Sequence, residues 1–265
     1  MSVCFINSMA QMITVFISLF LHKNNLPIYQ IGILISIFGI GGILGGFFGG
    51  FLSDFISPLK IARISSLANA LLIVLFMFFH NVWFFGVDLF LMGLFNNLFR
   101  PASLLLILAF DSIGKPSIIM SYRRVFVNLG VSVGVMLSGI LFNYSELLVF
   151  AFSAIVVFIS FIALLFLNID FNSNYNQSKK NDDSTSNNLN FQLYFAMLLL
   201  TCGLLIYNQQ QTIYGIYLND YLNVDAMKLS SLFAINGMLV VICQIPLTNA
   251  DNIMADKQVT HNLVN

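Results

Sequence analysis

The sequence contains very little charge. Lys, Arg, Asp and Glu together make up 8% of its 265 residues, whereas a soluble domain carries about 25%. The 11 basic and 11 acidic residues also cancel, which leaves a formal net charge of zero. This composition excludes a hydrated soluble surface, and the lack of a basic excess argues against nucleic acid or a polybasic lipid anchor as a partner.

Cysteine, histidine and catalytic motifs are scarce as well. The three cysteines, Cys4, Cys202 and Cys243, lie far apart in apolar runs, so we expect small hydrophobic side chains rather than disulfides or metal ligands. The histidines fall in predicted loops or in the tail, which argues against a histidine proton relay. No hydrolase triad, zinc motif or Walker loop is present, so we predict neither an enzyme nor a bound cofactor. The first apolar run lacks a basic leader and a cleavage site, so we interpret it as a membrane span.

Apolar residues, in contrast, are abundant. They make up 58% of the chain, and the mean hydropathy is +0.89. A helix needs about 20 apolar residues to cross a hydrocarbon core of about 30 Å. Eight runs are long enough: 3 to 21, 28 to 53, 61 to 79, 84 to 110, 120 to 142, 147 to 167, 191 to 218 and 229 to 247. The predicted fold is therefore an all-α polytopic bundle in a lipid bilayer.

The long break between spans divides the chain. Residues 168 to 190 are rich in Asn and Ser and mixed in charge, as is typical of a linker. We therefore predict a six-helix bundle over 1 to 167, the linker, two further helices over 191 to 248, and a polar tail over 249 to 265.

The basic residues predict the orientation, because loops rich in Lys and Arg stay in the cytoplasm. An inward N-terminus places eight basic residues inside: Lys60, Arg63, Lys115, Arg123, Arg124, Lys179, Lys180 and Lys257. Only Lys23 and Lys228 then lie outside. Both termini and the linker are predicted to be cytoplasmic, in an inner membrane.

The break after the second span resembles a known signature. GGFLSDFISPLK resembles the motif that follows the second helix in the major facilitator superfamily, where a glycine is followed four residues later by an aspartate; Gly50 and Asp54 match. Phe55 stands at a basic position of that motif, Ser57 at its second glycine, and Lys60 remains of its closing basic pair.

The fifth span resembles the same family. YRRVFVNLGVSVGVMLSGIL, residues 122 to 141, is similar to the fifth helix of proton-driven members. The corresponding residues are Arg124, Asn128, Leu129, Gly130 and Gly134. Val135 stands where exporters usually have proline. FRPA at 99 to 102 and INGMLVVICQIPLT at 235 to 248 resemble helices of a multidrug-exporter-like branch.

The resemblance implies a secondary transporter that moves a small molecule by alternating access, with protons as the coupling ion. It implies that helices one, four and seven line a central cavity. Polar residues occur in these three helices of our sequence and are the candidate pathway residues: Asn7, Gln11, Asn96, Asn97, Arg100, Tyr207, Gln210, Gln211 and Tyr214. Asn236 in the eighth helix is a further candidate. The alternative is that these residues only form hydrogen bonds between helices.

Arg100 is taken as the only charged residue well inside a span. Burying it unpaired would cost at least about 2.5 kcal/mol. We therefore expect it to bind helix carbonyls or to snorkel toward the cytoplasm, or else to serve an anionic substrate or a proton site. The resemblance also implies a cytoplasmic latch, for which Gly50, Asp54, Asp111 and Arg124 are candidates. The alternative is that Asp54 is simply a solvated loop residue.

Small residues predict close helix packing. Two interleaved GxxxG ladders run along the second span, and we expect tight packing at Gly42 and Gly46. Asn128, Gly130 and Gly134 are expected to pack the fifth span.

Because the family has a second six-helix bundle, the two predicted helices suggest a chain truncated after its eighth helix. The alternative to an active transporter is a truncated or degenerate membrane protein, or a half-transporter that needs a C-terminal partner.

Overall fold

The computed structural model describes residues 1 to 11, 13 to 79, 81 to 109, 116 to 167 and 224 to 264, with residues 195, 199, 216 to 218 and 222. These residues form helices and turns, without a strand in the described part. The principal helices are α1 Ser2–Met9, α2 Ile13–Lys23, α3 Ile28–Leu52, α4 Pro58–Phe78, α5 Val82–Ala109, α6 Pro116–Tyr144, α7 Glu146–Leu165 and α8 Ala226–Val264.

Seven of the predicted spans lie in the described residues. Each is long and apolar enough to cross a membrane. The first span consists of α1 and α2, spans two to six are α3 to α7, and the eighth span is the first half of α8, Ala226–Gln244. The all-α polytopic fold is thereby confirmed. The linker and most of the seventh span lie outside the described residues, and the tail after Gln244 continues α8.

The first span is interrupted in its middle, which the sequence did not predict. α1 ends at Met9, and a turn at Ala10 and Gln11 precedes α2. In this turn the amides of Ala10 and Gln11 donate to the carbonyls three residues earlier, Asn7 at 3.2 Å and Ser8 at 3.2 Å. Such a tightened turn inside a helix often marks a functional hinge.

Glycine brings α3 and α5 together. A methyl group at Gly41 or Gly45 would overlap backbone atoms of α5, and one at Gly49 would lie 2.7 Å from Pro101 Cγ. The backbones can approach this closely only because these positions have no Cβ.

The packing ladder is therefore not the one that we expected. Gly42 does face α5, where an added Cβ would lie 2.7 Å from Asn97 Nδ2, but an added Cβ at Gly46 would meet no described atom within 4 Å. Gly46 lies one residue, about 100° of helix rotation, beyond the buried Gly45, so its role in packing stays a prediction.

The helix α6 packs through small residues on two sides. Gly130 and Gly134 lie against the carbonyls of Phe5 and Met9 in α1. Farther along, Gly139 contacts Ser230 of α8. The eighth span, which is assigned to the second half of the chain, therefore packs directly on the first bundle.

The two ends of the bundle differ. Aromatic rings fill one end, where Phe76 contacts Phe85 at 4.9 Å and Phe150 at 5.2 Å between ring centroids. At the other end, which we call the basic end, Arg63 donates to the last carbonyls of α7, at 3.1 Å to Leu164 and 2.7 Å to Leu167. A cation at a helix C-terminus stabilises both the helix dipole and its unpaired carbonyls.

Candidate functional site

A cavity of about 200 Å³ opens between the interrupted first span, α5 and α6. We call it the arginine cavity, because Arg100 and Arg123 both line it. The described lining residues are Cys4, Ser8, Gln11, Phe99, Arg100, Ser103, Arg123 and Val127. Gln11 contributes from the turn between α1 and α2. The interruption of the first span thus places a polar residue at the wall of the cavity.

The walls of the arginine cavity are buried on one side and open on the other. Cys4, Ser8 and Ser103 are at most 5% exposed. Gln11 and Arg123 are half-buried, and Arg100 is exposed. The cavity therefore reaches from the interior of the bundle to an open face beside Arg100.

The charge of the described lining is positive. Arg100 and Arg123 supply two guanidinium groups, and none of the described lining residues is acidic. Arg123 Nη2 donates to Ser103 Oγ at 3.5 Å, and Ser103 Oγ donates to the carbonyl of Arg100 at 2.8 Å. Arg123 Nε is buried without a hydrogen-bond partner. A guanidinium has five N–H donors, so Arg123 retains donors for a ligand beside its contacts with Ser103 and Cys4.

Several predicted pathway residues lie near the cavity, but only some line it. Gln11 and Arg100 are brought together in its wall. Asn7 is buried in α1, Asn96 is half-buried, and Asn97 Nδ2 donates to the carbonyl of Gly93 in its own helix at 3.0 Å. Asn236 is exposed on α8. The remaining predicted pathway residues, Tyr207, Gln210, Gln211 and Tyr214, lie outside the described residues.

Three polar side chains of the first span and α5 donate hydrogen bonds within their own helices. Ser18 donates to the carbonyl of Val15 at 2.7 Å, as Asn97 and Ser103 do to theirs. Small polar side chains inside helices commonly donate to a backbone carbonyl three or four residues earlier in the same helix. These three bonds do not join one helix to another.

Arg123 is a cavity residue that the sequence analysis assigned only to the cytoplasmic loop. Arg123, Val127, Gly130 and Gly134 are spaced i, i+4, i+7 and i+11, which places them on one helix face. The two glycines pack against α1, so Arg123 turns toward α1 too, while Arg124 is exposed. The same spacing could have identified Arg123 from the sequence.

Asp88 is a second residue that the sequence analysis missed. It lies inside α5, so the statement that Arg100 was the only charged residue well inside a span is wrong. Asp88 is 3% exposed, and its Oδ2 is buried without a hydrogen-bond partner among the described residues. Twelve residues separate Asp88 from Arg100, about 18 Å along a helix, so the two charges do not form a pair.

A larger cleft of about 370 Å³ lies at the opposite end, where α2 and α6 meet their loops. Lys23 Nζ contacts Glu146 Oε1 at 2.7 Å and lies 5.0 Å from the centroid of the Phe142 ring. These two charges neutralise each other. The pair joins the ends of α2 and α7, which favours a structural role for this cleft.

The latch candidates lie at the basic end. Gly50, at the end of α3, and Asp54, in the turn after it, are exposed, and so is Arg124 in α6. Asn128 Nδ2 donates to the carbonyl of Arg124 at 2.8 Å. Asp111 lies outside the described residues. The latch therefore remains a prediction.

The described residues contain seven helices that are long and apolar enough to cross a membrane, and a polar cavity lies between three of these spans. The family model of the Major Facilitator Superfamily matches residues 1 to 251. The chain belongs to this superfamily and is an integral membrane transporter of the major facilitator type. No curated protein matches the sequence.

Members of this superfamily are transporters rather than enzymes, and they move small molecules across a lipid bilayer. The family match covers the arginine cavity and both halves of the first span. The resemblance read from the fifth span and from the break after the second span is confirmed at the level of the superfamily.

Proposed function

We propose that this transporter is secondary active and moves a small solute by alternating access, with protons as the coupling ion. The arginine cavity is the main observation in support. Polar side chains inside an apolar membrane bundle are energetically costly, and those that occur commonly mark a substrate or ion pathway. Here it is walled by the interrupted first span, and discontinuous helices form the substrate sites of many transporters.

The contact between α6 and α8 supports alternating access. An added Cβ at Gly237 of α8 would lie 3.2 Å from the carbonyl of Asn128, and one at Gly139 of α6 would lie 3.2 Å from the carbonyl of Ala226. Small residues at a helix interface leave few side chains interlocked. Such an interface can slide when one bundle rocks against the other.

Asp88 supports proton coupling. Asp88 is a carboxyl group buried in an apolar bundle, and acidic residues inside membrane spans commonly serve proton relays. It would release its proton when a conformational change brought water to α5. The coupled cycle therefore has a candidate proton carrier on the same helix as Arg100.

Proton coupling can be tested in liposomes that contain the purified chain and internal pyranine. A panel of carboxylates, phosphate esters, sugars and cationic dyes is added outside, and proton flux and solute uptake are measured together. We expect saturable solute uptake accompanied by proton movement. Saturable uptake without proton movement would rule out the coupling.

The Asp88→Asn variant assigns the coupling to one residue. It should lose uptake against a concentration gradient while retaining exchange of the solute between the two sides, because the amide cannot carry the proton. Asp225→Asn is the matched control, since Asp225 is exposed and lies before α8. Gradient-driven uptake by Asp88→Asn at the wild-type rate would exclude Asp88 as the carrier.

Orientation follows from the distribution of basic residues. We place both termini, the linker and the basic end in the cytoplasm of an inner membrane, because Lys and Arg are retained there. Export is the direction suggested by the similarity of residues 99 to 102 and 235 to 248 to a multidrug-exporter-like branch, although Val135 stands where exporters usually have proline. Comparing uptake in inside-out and right-side-out vesicles tests it, and accumulation only in right-side-out vesicles would establish import instead.

A further inference from the structure

The arginine cavity concentrates positive charge in a small space. Arg100 and Arg123 both line it, and the described lining supplies no carboxylate to neutralise them. Like charges that share one cavity repel each other, and the half-buried Arg123 also loses part of its hydration. An anion bound between them would remove both costs.

The hydrogen-bonding groups of the cavity also favour an anion. Arg123 Nε is buried and unpartnered, while Ser8 and Gln11 add a hydroxyl and an amide to the same wall. Guanidinium groups match the geometry of carboxylate and phosphate oxygens and bind them through two parallel hydrogen bonds. A sugar or a cationic dye offers no such match.

The volume limits the size of the bound group. About 200 Å³ is below the range of about 300 to 1,000 Å³ that is usual for drug-sized ligands. A single carboxylate or phosphate group fits this space together with its first atoms of substituent. The remainder of a larger solute would extend through the open face beside Arg100.

From these observations we infer that the arginine cavity is an oxyanion-binding site, formed by Arg100 and Arg123, that holds the carboxylate or phosphate group of a small anionic solute. The assignment of this solute as the transported substrate rests on the proposed function. The binding site itself does not. An anionic lipid headgroup has the same chemistry, so the experiment must distinguish the two sources.

Cys4 provides a reporter inside the cavity, because its thiol lines the same wall as the two arginines. In a Cys202→Ser/Cys243→Ser background it is the one thiol of the chain. The purified full chain in phosphatidylcholine nanodiscs is treated with two methanethiosulfonates of similar size, an anionic sulfonatoethyl and a cationic trimethylammonioethyl reagent. Each rate is divided by the rate of the same reagent with free glutathione, and mass spectrometry locates the adduct.

The anionic reagent should react faster with Cys4 than the cationic one by about tenfold or more, since a charged cleft concentrates counter-ions by that factor. The preference should fall in Arg100→Gln and in Arg123→Gln. Lys60→Gln removes an equal charge from an exposed position at the basic end and should leave the preference unchanged. The ratio of anionic to cationic labelling rates is first measured with both arginines present. Misfolding of an arginine variant therefore does not decide the test.

Inorganic phosphate provides the direct binding probe. At constant ionic strength it should slow the labelling of Cys4 by neutral methyl methanethiosulfonate, about threefold when phosphate is at twice its Kd, and chloride should not. Slowing by phosphatidylglycerol nanodiscs without slowing by phosphate would support the oxyanion site and overturn its assignment to a solute.

Equal reactivity of the two charged reagents, with no protection by phosphate or by phosphatidylglycerol, would overturn the inference. These readouts require no transport. Protection of Cys4 in a chain without uptake would therefore refute the proposed function alone, and uptake without protection would refute the oxyanion site alone.

Discussion

Replacing Gly45 with alanine should loosen the contact between α3 and α5. The new methyl group would overlap the carbonyl oxygen of Leu94 and would lie 2.9 Å from its Cα. These are backbone atoms of a helix, so no side chain can rotate away and the two helices must separate. Gly46→Ala is the matched control, because an added Cβ there meets no described atom within 4 Å.

The magnitude follows from the difference between the two variants. Alanine is favoured over glycine in a helix by about 1 kcal/mol, and this gain is shared by both positions. Overpacking a close contact costs about 1 to 3 kcal/mol, and only Gly45→Ala incurs it. Gly45→Ala should therefore have a free energy of unfolding about 1 to 3 kcal/mol lower than that of Gly46→Ala.

Unfolding by SDS in mixed micelles, followed by the loss of helical circular dichroism, measures this difference. Gly45→Ala should unfold at a lower SDS fraction than Gly46→Ala, and the wild type should not exceed Gly46→Ala. Equal midpoints for the two variants would refute the backbone contact between α3 and α5, and with it the choice of packing ladder.

Three further predictions use other parts of the chain. Arg63→Ala should lower the free energy of unfolding by up to about 2 kcal/mol, because it removes the charged cap of α7; an unchanged SDS midpoint would contradict this role. A double-mutant cycle on Lys23 and Glu146 should give a coupling energy of about 1 kcal/mol or less, since Lys23 is largely exposed and such pairs are weak. A coupling energy several times larger would contradict this and would mean that the ion pair contributes strongly to the stability of the bundle. In a cysteine-free background, an impermeant maleimide added to intact cells should label Asn24→Cys and not Ser184→Cys, and the reverse pattern would invert the topology.

The sequence by itself determined that the protein lies in a lipid bilayer, how many spans the described part contains, and the superfamily to which the chain belongs. These properties depend on composition and on run length, which act locally: about 20 apolar residues are long enough to cross a bilayer wherever they occur. Gly130 and Gly134 could also be identified as packing residues, because close approach of helices requires small side chains.

The site depended on the tertiary structure for a physical reason. A repeat of glycine predicts close packing but not which of two neighbouring faces meets the partner, and the structure selected Gly45 over Gly46. Gln11, Arg100 and Arg123 likewise meet in one cavity wall only because helices that are distant in sequence pack together. Polar groups from three helices come to share one cavity only when those helices pack together, since helix periodicity determines a face and tertiary packing determines what that face meets.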